Sequence, residues 1–446
     1  MNIVILGAGS IGSYLALMLS QEGHNVIVID RDPKALEKLG RSADIAVRLG
    51  YGTDWRLLEE INELSPDYFI ALSSDDETNL VACAIAKDLG YPKTVARIRQ
   101  KSFLDHRRMD FGRIFGVDHI IGTELVVAHD LYQRILHPGN LAVENFAHGA
   151  VQMRTIVVPQ NFSDAGKPLA NVDLKENLLV GLIRRKDKEL IFPKGKDRLL
   201  PGDEATIIGP ATAMHQLHQI FGIPKKTIRS AVIVGASGVA IHLIELLLPH
   251  NISVKIIEQD EVKCQKLAHL FPSITILNHD GTDLHFLREE KVFASDVFIA
   301  CTHSHETNIL TALLGKQVGA TEVIALVTDE NTVPLLEQFQ ISYALSERES
   351  IARRIQVILH DDTFISLASL YDNQAKIMEV KVSEDSHLVK RPLSSLSSRL
   401  PKNFLIAMVE NHQGITIPKG DNHLQAGDTA IVICGPESME DVEKML

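Results

Sequence analysis

Three glycines near the start of the chain, Gly7, Gly9 and Gly12, are spaced as in loops that hold a pyrophosphate. The first glycine of such a loop permits a tight turn, the second lets the backbone approach the phosphates, and the third lets a helix pack closely on a strand. A helix that begins in the loop offers unpaired N–H groups to the phosphates. Asp30 follows at the distance where an acid can accept hydrogen bonds from both ribose hydroxyls. The pattern therefore predicts a dinucleotide site.

The elements that must hold these residues can be predicted from the same stretch. Residues 3–6 and 26–29 are apolar runs typical of buried parallel strands, and a helical pattern lies between them. A lone glycine motif is weak evidence, and a turn that binds no nucleotide is the alternative. The complete order of strand, glycines, helix, strand and acid favours a dinucleotide. A carboxylate at Asp30 disfavours the 2′-phosphate of NADP.

The following residues alternate short apolar runs with helical segments, which predicts a doubly wound α/β sheet. Asp30, Ser73 and Arg97 each fall at the carboxyl end of a predicted strand. Ligands of open α/β sheets bind beyond these ends, so we expect the three side chains on one edge. Either Thr53 or Asp54 can cap the next helix.

The second half of the chain repeats the first. Glu258 takes the place of Asp30, and three scattered segments recur at an offset that is constant to within one residue. The recurring segments are residues 7–12, 52–54 and 73–79, matched by residues 235–240, 281–283 and 302–308. Matches this regular in separate loops indicate a duplication.

A smaller pattern lies between the two α/β units and recurs after the second. Residues 151–221 contain short alternating strands and end in a predicted helix, Ala213–Phe221, whose counterpart is Ser438–Leu446. The run at residues 190–195 returns at residues 414–420. The chain is therefore predicted to be an α/β protein with two tandem copies of a Rossmann-like doubly wound parallel sheet unit. A small α+β, β-rich module follows each copy.

Composition excludes several classes of protein. The 446 residues carry a net charge of −12, which argues against a general nucleic-acid binder because neutralising phosphates needs a basic surface. The short basic clusters Arg107-Arg108 and Lys225-Lys226 are expected on the solvated surface. Four cysteines lie far apart in apolar stretches, as reduced thiols do in a reducing compartment. No export signal or membrane-spanning run is recognisable, so we expect a cytoplasmic protein.

The alternation of a nucleotide-binding unit with a small β-rich unit resembles the regulator-of-potassium-conductance (RCK) domains, in their N-terminal and C-terminal forms. The residues that carry this resemblance are the glycine loop with Asp30, Gly52-Thr53-Asp54, Asp76-Glu77-x-Asn79-Leu80, Ala86-Lys87, Lys167-Pro168-Leu169 and Pro201-Gly202-Asp203. Two tandem copies in one chain resemble the TrkA family, the peripheral subunits of bacterial and archaeal Trk potassium uptake systems. The resemblance covers essentially the whole chain. It implies N-terminal RCK domains at residues 1–137 and 229–360, and C-terminal RCK domains at residues 138–228 and 361–446.

The resemblance also implies a function. A protein of this family is a nucleotide-sensing regulatory subunit that gates potassium transport through a membrane-embedded, Trk-type potassium-translocating partner. NAD+ or NADH, and ATP or ADP, are the ligands implied for the α/β units, where binding changes the shape of a ring. The implied ring is a homotetramer, peripheral on the inner face of the cell membrane.

Carried over residue by residue, the resemblance places the phosphates on the first glycine loop, the ribose at Asp30 and a cation at Arg97. Thr53, Ser73 and Ser74 line the adenosine and nicotinamide sides. The expected residues of the first site are Gly7, Ala8, Gly9, Ser10, Ile11, Gly12, Asp30, Arg31, Thr53, Ser73, Ser74 and Arg97. Their counterparts in the second site are Gly235, Ala236, Ser237, Gly238, Val239, Glu258, Thr282, Thr302 and His303.

The second copy departs from the first in three places: Ser237 replaces Gly9, Ala240 replaces Gly12, and Leu326 replaces Arg97. Gly238, one position further on, can restore close approach. Losing a charge-assisted hydrogen bond costs about 1.5–3 kcal/mol, or about one to two decades of affinity. We therefore expect the first site to bind nucleotide more tightly.

Two other functions stay open from the residues alone. A glycine loop with an acid is also found in NAD-dependent dehydrogenases, but hydride transfer needs a positioned acid or base, and no catalytic signature is recognisable. The regulator could also serve a different cation transporter. His279, His303 and His305 could suggest a metal, but the first copy has Ser74 and Asp76 in place of the last two, and no cysteine is near. We expect neither catalytic residues nor a metal.

Overall fold

The computed structural model describes residues 1–446 apart from short segments at 106–108, 138–139, 175–176, 224–226, 329–331, 360–363, 372–373, 385, 387, 390, 397–400, 402, 413, 439–440, 443–444 and 446. The basic clusters Arg107-Arg108 and Lys225-Lys226 lie outside the described residues, as does much of the predicted helix Ser438–Leu446. Within the described part of the chain, no helix has the length and apolar character needed to cross a bilayer.

The first α/β domain is a six-stranded parallel sheet with helices between its strands. Its apolar runs form strands because they are buried on both faces, as Val4 and Phe69 are. The strand order is β3-β2-β1-β4-β5-β6, the order of a doubly wound sheet. Its elements are β1 (Asn2–Leu6), α1 (Ser10–Gln21), β2 (Asn25–Asp30), α2 (Pro33–Gly40), β3 (Ala46–Leu49), α3 (Trp55–Asn62), β4 (Tyr68–Ala71), α4 (Asp76–Asp88), β5 (Lys93–Ile98), α5 (Lys101–Leu104), α6 (Phe111–Phe115), β6 (His119–Gly122) and α7 (Thr123–Leu136).

The first small module is a five-stranded antiparallel sheet in the order β10-β9-β11-β8-β7. Its elements are β7 (Asn140–Phe146), β8 (Val151–Val157), β9 (Leu179–Arg184), β10 (Leu190–Ile191), β11 (Glu204–Pro210), α8 (Ala211–Met214) and α9 (Leu217–Ile220). The predicted single helix Ala213–Phe221 is two short helices. The chain tightens between them because the Gln216 N–H bonds to the Ala213 carbonyl, three residues back, at 2.9 Å.

The second α/β domain repeats the topology of the first, in the order β14-β13-β12-β15-β16-β17. Its elements are β12 (Ser230–Val234), α10 (Gly238–Leu247), β13 (Ser253–Glu258), α11 (Glu261–Leu270), β14 (Thr275–Asn278), α12 (Leu284–Glu289), β15 (Val297–Ala300), α13 (His305–Gln317), β16 (Val323–Val327), α14 (Val333–Gln338), β17 (Tyr343–Ser346) and α15 (Glu347–Leu359).

The second small module likewise repeats the first, in the order β18-β19-β22-β20-β21. Its elements are β18 (Phe364–Leu370), β19 (Ala375–Lys381), α16 (Leu393–Leu396), β20 (Phe404–Asn411), β21 (Gly414–Thr416) and β22 (Thr429–Cys434). The predicted fold class, two Rossmann-like units each followed by a small β-rich module, is therefore confirmed.

The chain forms two compact units, and each unit joins equivalent parts of the two repeats. One unit comprises Met1–Tyr132 and Ile228–Ile355, which are the two α/β domains. The other comprises Gln133–Thr227 and Gln356–Leu446, which are the two small modules. The four domain boundaries expected from the resemblance stay a prediction.

Within the second unit the two small sheets share a hydrophobic core, to which Met153 and Ile433 both contribute. Gly181 on β9 makes this packing close, because a Cβ there would lie 2.3 Å from the Ile433 side chain. The backbone N–H of Ala147 also donates to the buried Glu379 carboxylate at 3.1 Å. Each small module therefore buries apolar surface on its counterpart, which offsets the limited core that so small a sheet builds alone.

Candidate nucleotide-binding sites

The first glycine loop, residues 7–12, joins β1 to α1 and leaves an open space at Gly9. Gly7 has φ of +108°, which favours glycine. A Cβ on Gly12 would lie 1.9 Å from the Gly7 carbonyl oxygen, so only glycine allows the helix to approach the loop. A Cβ on Gly9, in contrast, would meet nothing within 4 Å. Gly7 and Gly12 therefore make the tight turn and the close helix packing predicted for them, and Gly9 leaves the space beside the loop open, while its approach to phosphates stays a prediction.

The start of α1 completes this surface. Gly9 is the N-cap and provides no side chain to bond the first N–H groups of the helix. Ser10, the first helical residue, is exposed. Such an end carries a partial positive charge and free donors, which suits phosphate oxygens.

Asp30 holds the loop from the end of β2. Its carboxylate accepts the Ala8 N–H at 2.5 Å and the Asp32 N–H at 2.8 Å. Each carboxylate oxygen has further lone pairs, and the half-buried side chain stays accessible to ligand. The carboxylate can therefore orient the loop and still accept hydrogen bonds from a ribose. The open surface at Gly9, the free helix end and Asp30 together fit a dinucleotide or another adenine nucleotide.

Other expected residues meet at the same edge of the sheet. A Cβ on Gly7 would lie 3.1 Å from the Ser73 nitrogen. The turn that bears Thr53 packs on β1, since a Cβ on Gly52 would lie 2.1 Å from the Leu6 side chain. Thr53, Ser74 and Arg31 are exposed. The tertiary structure thus places these segments around the first glycine loop, while their contact with a nucleotide stays a prediction.

Arg97 has a more specific environment than the sequence indicated. It lies on β5, and its Nε is buried without a hydrogen-bond partner. Burial lowers the pKa of Arg97, and Arg99 adds to that shift, whereas Glu347 from the second α/β domain opposes it. A buried Nε–H without a partner can donate to an anion, so this geometry permits the expected contact between Arg97 and a phosphate. The contact itself stays a prediction.

Two residues that sequence reasoning left without a role build this edge. The fully buried Asn79 accepts the Ser73 N–H at 2.9 Å and donates to the carbonyls of Ser73 and Arg97 at 3.1 and 2.9 Å. Asp76 accepts the N–H groups of Arg99 and Gln100. Both residues belong to the repeated segment 73–79. The recurrence of an asparagine at the equivalent position, Asn308, was the sequence signal that could have pointed to the role of Asn79.

The second glycine loop, residues 235–240, keeps the frame of the first. Gly235 has φ of +97°. The Glu258 carboxylate accepts the Ala236 N–H at 2.6 Å and the Asp260 N–H at 2.9 Å, as Asp30 does in the first domain. Asn308 again braces the edge through the Thr302 N–H at 2.7 Å and the Leu326 carbonyl at 2.9 Å.

The space that Gly9 leaves open is filled in the second loop. Ser237 is 4% exposed, and its hydroxyl caps α10 by accepting the Ala240 N–H at 3.2 Å. The same hydroxyl donates to the Cys301 carbonyl at 2.7 Å. Ser237 therefore satisfies one of the donors that a phosphate would use, and weaker nucleotide binding by the second loop stays a prediction.

The remaining residues expected in the second site have mixed roles. Thr282 donates to Asp280 at 2.8 Å, and the Thr302 hydroxyl donates to Asn308 at 2.7 Å. Both hydroxyls therefore stabilise their own turns. His303 is exposed. The pKa of its imidazole is lowered, first by partial loss of solvent around the ring and then by the positive charge of Lys263.

The histidines considered for a metal are separately engaged. His279 bonds Asp283 at 3.0 Å and stacks on Phe286. His305 accepts the Thr328 N–H at 3.2 Å, taking the bracing role that Asp76 has in the first domain. Within the part of the chain that the structure describes, no three metal-ligating side chains come together.

Comparison with known proteins adds the evolutionary context. The TrkA-N domain family matches residues 3–123 and 231–347, and the TrkA-C domain family matches residues 153–222 and 377–446. The Trk system potassium uptake protein TrkA homolog 2 of Methanosarcina mazei is 31% identical over the full length of both chains. The Trk system potassium uptake protein TrkA of Halomonas elongata is 27% identical, over all of this chain and 98% of its own.

Solved structures agree on the fold. The crystal structure of the GsuK RCK domain has a TM-score of 0.64 at 17% identity, covering all of this chain and 94% of that chain. The GsuK channel bound to NAD has a TM-score of 0.64 at 16% identity, covering all of this chain and 78% of that chain. The RCK architecture expected from the sequence is confirmed. With paired TrkA-N and TrkA-C domains in alternation and full-length similarity to TrkA proteins, the chain belongs to the TrkA family.

Proposed function

We propose that this chain is the nucleotide-sensing regulatory subunit of a Trk-type potassium uptake system. Nucleotide binds the first glycine loop, changes the conformation of the α/β unit, and so gates potassium flow through a membrane-embedded translocating partner. The open surface at Gly9, with Asp30 in position beside it, is the observation that carries the proposal. Relatives along the whole chain that are named Trk system potassium uptake proteins support the transport role.

NAD, as NAD+ or NADH, is the ligand that the first site suits best. Asp30 presents a carboxylate where a ribose with a free 2′-hydroxyl is accepted and a 2′-phosphate is repelled. ATP or ADP shares the adenosine and phosphate groups and is the second candidate. The GsuK structures bound to NAD and to ADP support both choices by fold similarity.

Sensing is favoured over catalysis because the acids at the first site are committed to the backbone. Asp30 accepts the Ala8 and Asp32 N–H groups, and the buried Asp76 accepts those of Arg99 and Gln100. A regulator needs only different affinities for its ligands in two conformations. We infer that the chain has no catalytic residue and that it works as a homotetrameric ring on the cytoplasmic face of the membrane.

Isothermal titration of the full chain with NADH, NAD+, ATP and ADP tests the ligand. Asp30→Ala removes ribose hydrogen bonds of about 1.5–3 kcal/mol, so we expect about a tenfold to hundredfold loss at the tight site. Glu258→Ala is the matched control, because it makes the equivalent change in the second domain. It should leave the affinity of the tight first site unchanged. Equal losses in the two variants would contradict the assignment.

A second experiment tests the regulatory role. The chain should co-purify with a Trk-type membrane subunit, and nucleotide should change potassium uptake by the reconstituted pair. NADH absorbance should stay constant across a panel of small carbonyl compounds. NADH oxidation with any of them would favour the dehydrogenase alternative.

A further inference from the structure

A carboxylate of the first α/β domain lies against the second glycine loop. A Cβ on Gly238, the first residue of α10, would lie 1.7 Å from Oε2 of Glu124 and 2.2 Å from its carboxyl carbon. Glu124 is in the first turn of α7 in the other α/β domain of the same unit. Its carboxylate therefore occupies the space over the N-terminus of α10.

At the equivalent place in the first glycine loop, the described residues leave the surface open. Its equivalent of Gly238 is the exposed Ser10, and a Cβ on the adjacent Gly9 meets nothing within 4 Å. A side chain at position 238 would therefore need the Glu124 carboxylate to move away. The glycine that sequence reasoning saw as restoring approach to a phosphate instead admits a side chain.

Glu124 belongs to a group of charges that also includes Arg97, Arg99 and Glu347. Glu347 is the first residue of α15, and the strand register gives it the place of Thr123, so that Arg348 takes the place of Glu124. Burial raises the pKa of Glu347, and Arg97 is the cation that most opposes the shift. In the second domain Leu326 replaces Arg97, and it is buried in the core. Glu124 lies against the α10 N-terminus and pairs with Arg99 at 3.5 Å, and Arg97 attracts its carboxylate as well.

We propose that Glu124 acts as an internal anion that closes the second glycine loop to phosphates. The inference rests on the proposed function, because it concerns the second of the two nucleotide loops. A carboxylate and a phosphate compete for the same helix N-terminus, where each is attracted by the same partial positive charge. A nucleotide can enter the second loop only by displacing Glu124.

Displacement would also break a contact between the two α/β domains. Their interface includes an ion pair from Lys101 to Glu245 and a hydrogen bond between Tyr132 and His250, besides the Glu124–Gly238 contact. Filling the second loop therefore changes how the two domains meet, whereas filling the first loop leaves Glu124 in place. Occupancy of the second loop is therefore coupled to this contact between the two domains.

The test measures second-site binding by the full chain in an Asp30→Ala background, which weakens the first site. Titration with ATP and with NADH should show about a tenfold gain in affinity when Glu124→Ala is added, because removing the competing charge at a helix end has that order of effect. Glu124→Gln keeps the side-chain volume and removes the charge, and should gain affinity too. Glu347→Ala is the control, because it removes a neighbouring carboxylate whose main cation is Arg97, and it should not gain affinity since Glu124 is the acid that contacts Gly238.

Unchanged second-site affinity in both Glu124 variants would overturn the inference. So would an equal gain in the Glu347→Ala control, since any disruption of the interface would then suffice. Failure of the proposed function gives a different result, because the chain with Asp30 and Glu124 intact would then bind no nucleotide at either loop. A single bound nucleotide in that chain, rising to two with Glu124→Ala, is the outcome we expect.

Discussion

Replacing Gly9 and Gly12 by alanine should damage two different properties of the first domain. At Gly12 the new Cβ would lie 1.9 Å from the Gly7 carbonyl oxygen, a backbone atom that cannot rotate away. At Gly9 the new Cβ would enter space that is empty to 4 Å. We therefore expect Gly12→Ala to lose stability and Gly9→Ala to lose nucleotide affinity.

The magnitudes follow from these distances. Relief of the Gly12 contact requires α1 and the loop to separate by about 1 Å or more, and overpacking of this kind costs about 1–3 kcal/mol. Alanine has a helix propensity about 1 kcal/mol better than that of glycine. Subtracting this gain from the upper end of the overpacking cost leaves an expected net loss of about 2 kcal/mol in the free energy of unfolding. Gly9 has φ of −70° and ψ of −174°, which alanine adopts readily, and the variant should unfold within about 1 kcal/mol of the parent.

The affinity loss at Gly9→Ala comes from the approach of the phosphates. A methyl group at the point of closest approach keeps the phosphates from the helix donors. Each charge-assisted hydrogen bond lost costs about 1.5–3 kcal/mol, so losing even one weakens binding by about one to two decades.

The assay uses the single tryptophan of the chain, Trp55, which begins α3 of the first domain. Urea unfolding followed by its fluorescence reports on this domain, and calorimetric titration with NADH reports affinity. Ala240→Gly is the reverse change in the second domain and should leave both readouts near the parent values. Normal binding by Gly9→Ala, or a stability loss equal to that of Gly12→Ala, would refute the assigned roles of the two glycines.

Two further predictions concern the support of the first domain. Asn79→Ala removes three buried hydrogen bonds at about 1 kcal/mol each; it should cost about 3 kcal/mol in urea unfolding and weaken nucleotide binding. Asn308→Ala should cost as much stability without weakening the tight site, and a matching affinity loss would count against this role. Burial raises the pKa of the Asp118 carboxyl, but hydrogen bonds from Lys87 and Thr94 prevail and hold the pKa below its ordinary 3.8. The folded state thus binds this proton less readily than the unfolded chain, so the stabilisation from the Asp118 carboxylate is complete above pH 3.8 and is lost as the pH falls further. Asp118→Asn should therefore flatten the fall in stability with decreasing pH. An unchanged fall would exclude this carboxyl as the source of the acid sensitivity.

Much of the fold could be predicted because its determinants are local. Apolar runs of strand length, such as residues 3–6, are buried on both faces in the structure, and the glycine spacing specifies a turn that other residues cannot adopt. The position of Asp30 at a strand end places its carboxylate beside the loop, since neighbouring strands are in register. The helix Ala213–Phe221 was predicted as continuous because its apolar residues recur at helical spacing, which does not reveal the tightened turn at Gln216.

The duplication, the fold class, the glycine loops and their acids are all written in short segments, so the order of residues is enough to establish them. The pairing of like domains cannot be established from short segments, because it depends on which apolar surfaces remain uncovered once each sheet has formed. The role of Asn79 needed the two strands that its amide joins. The contact of Glu124 with Gly238 joins residues far apart in the chain, and only the packing of two folded domains brings a carboxylate to that helix end. Residue types thus predict what each loop can bind, whereas tertiary packing leaves the first loop open at Gly9 and places Glu124 against the second.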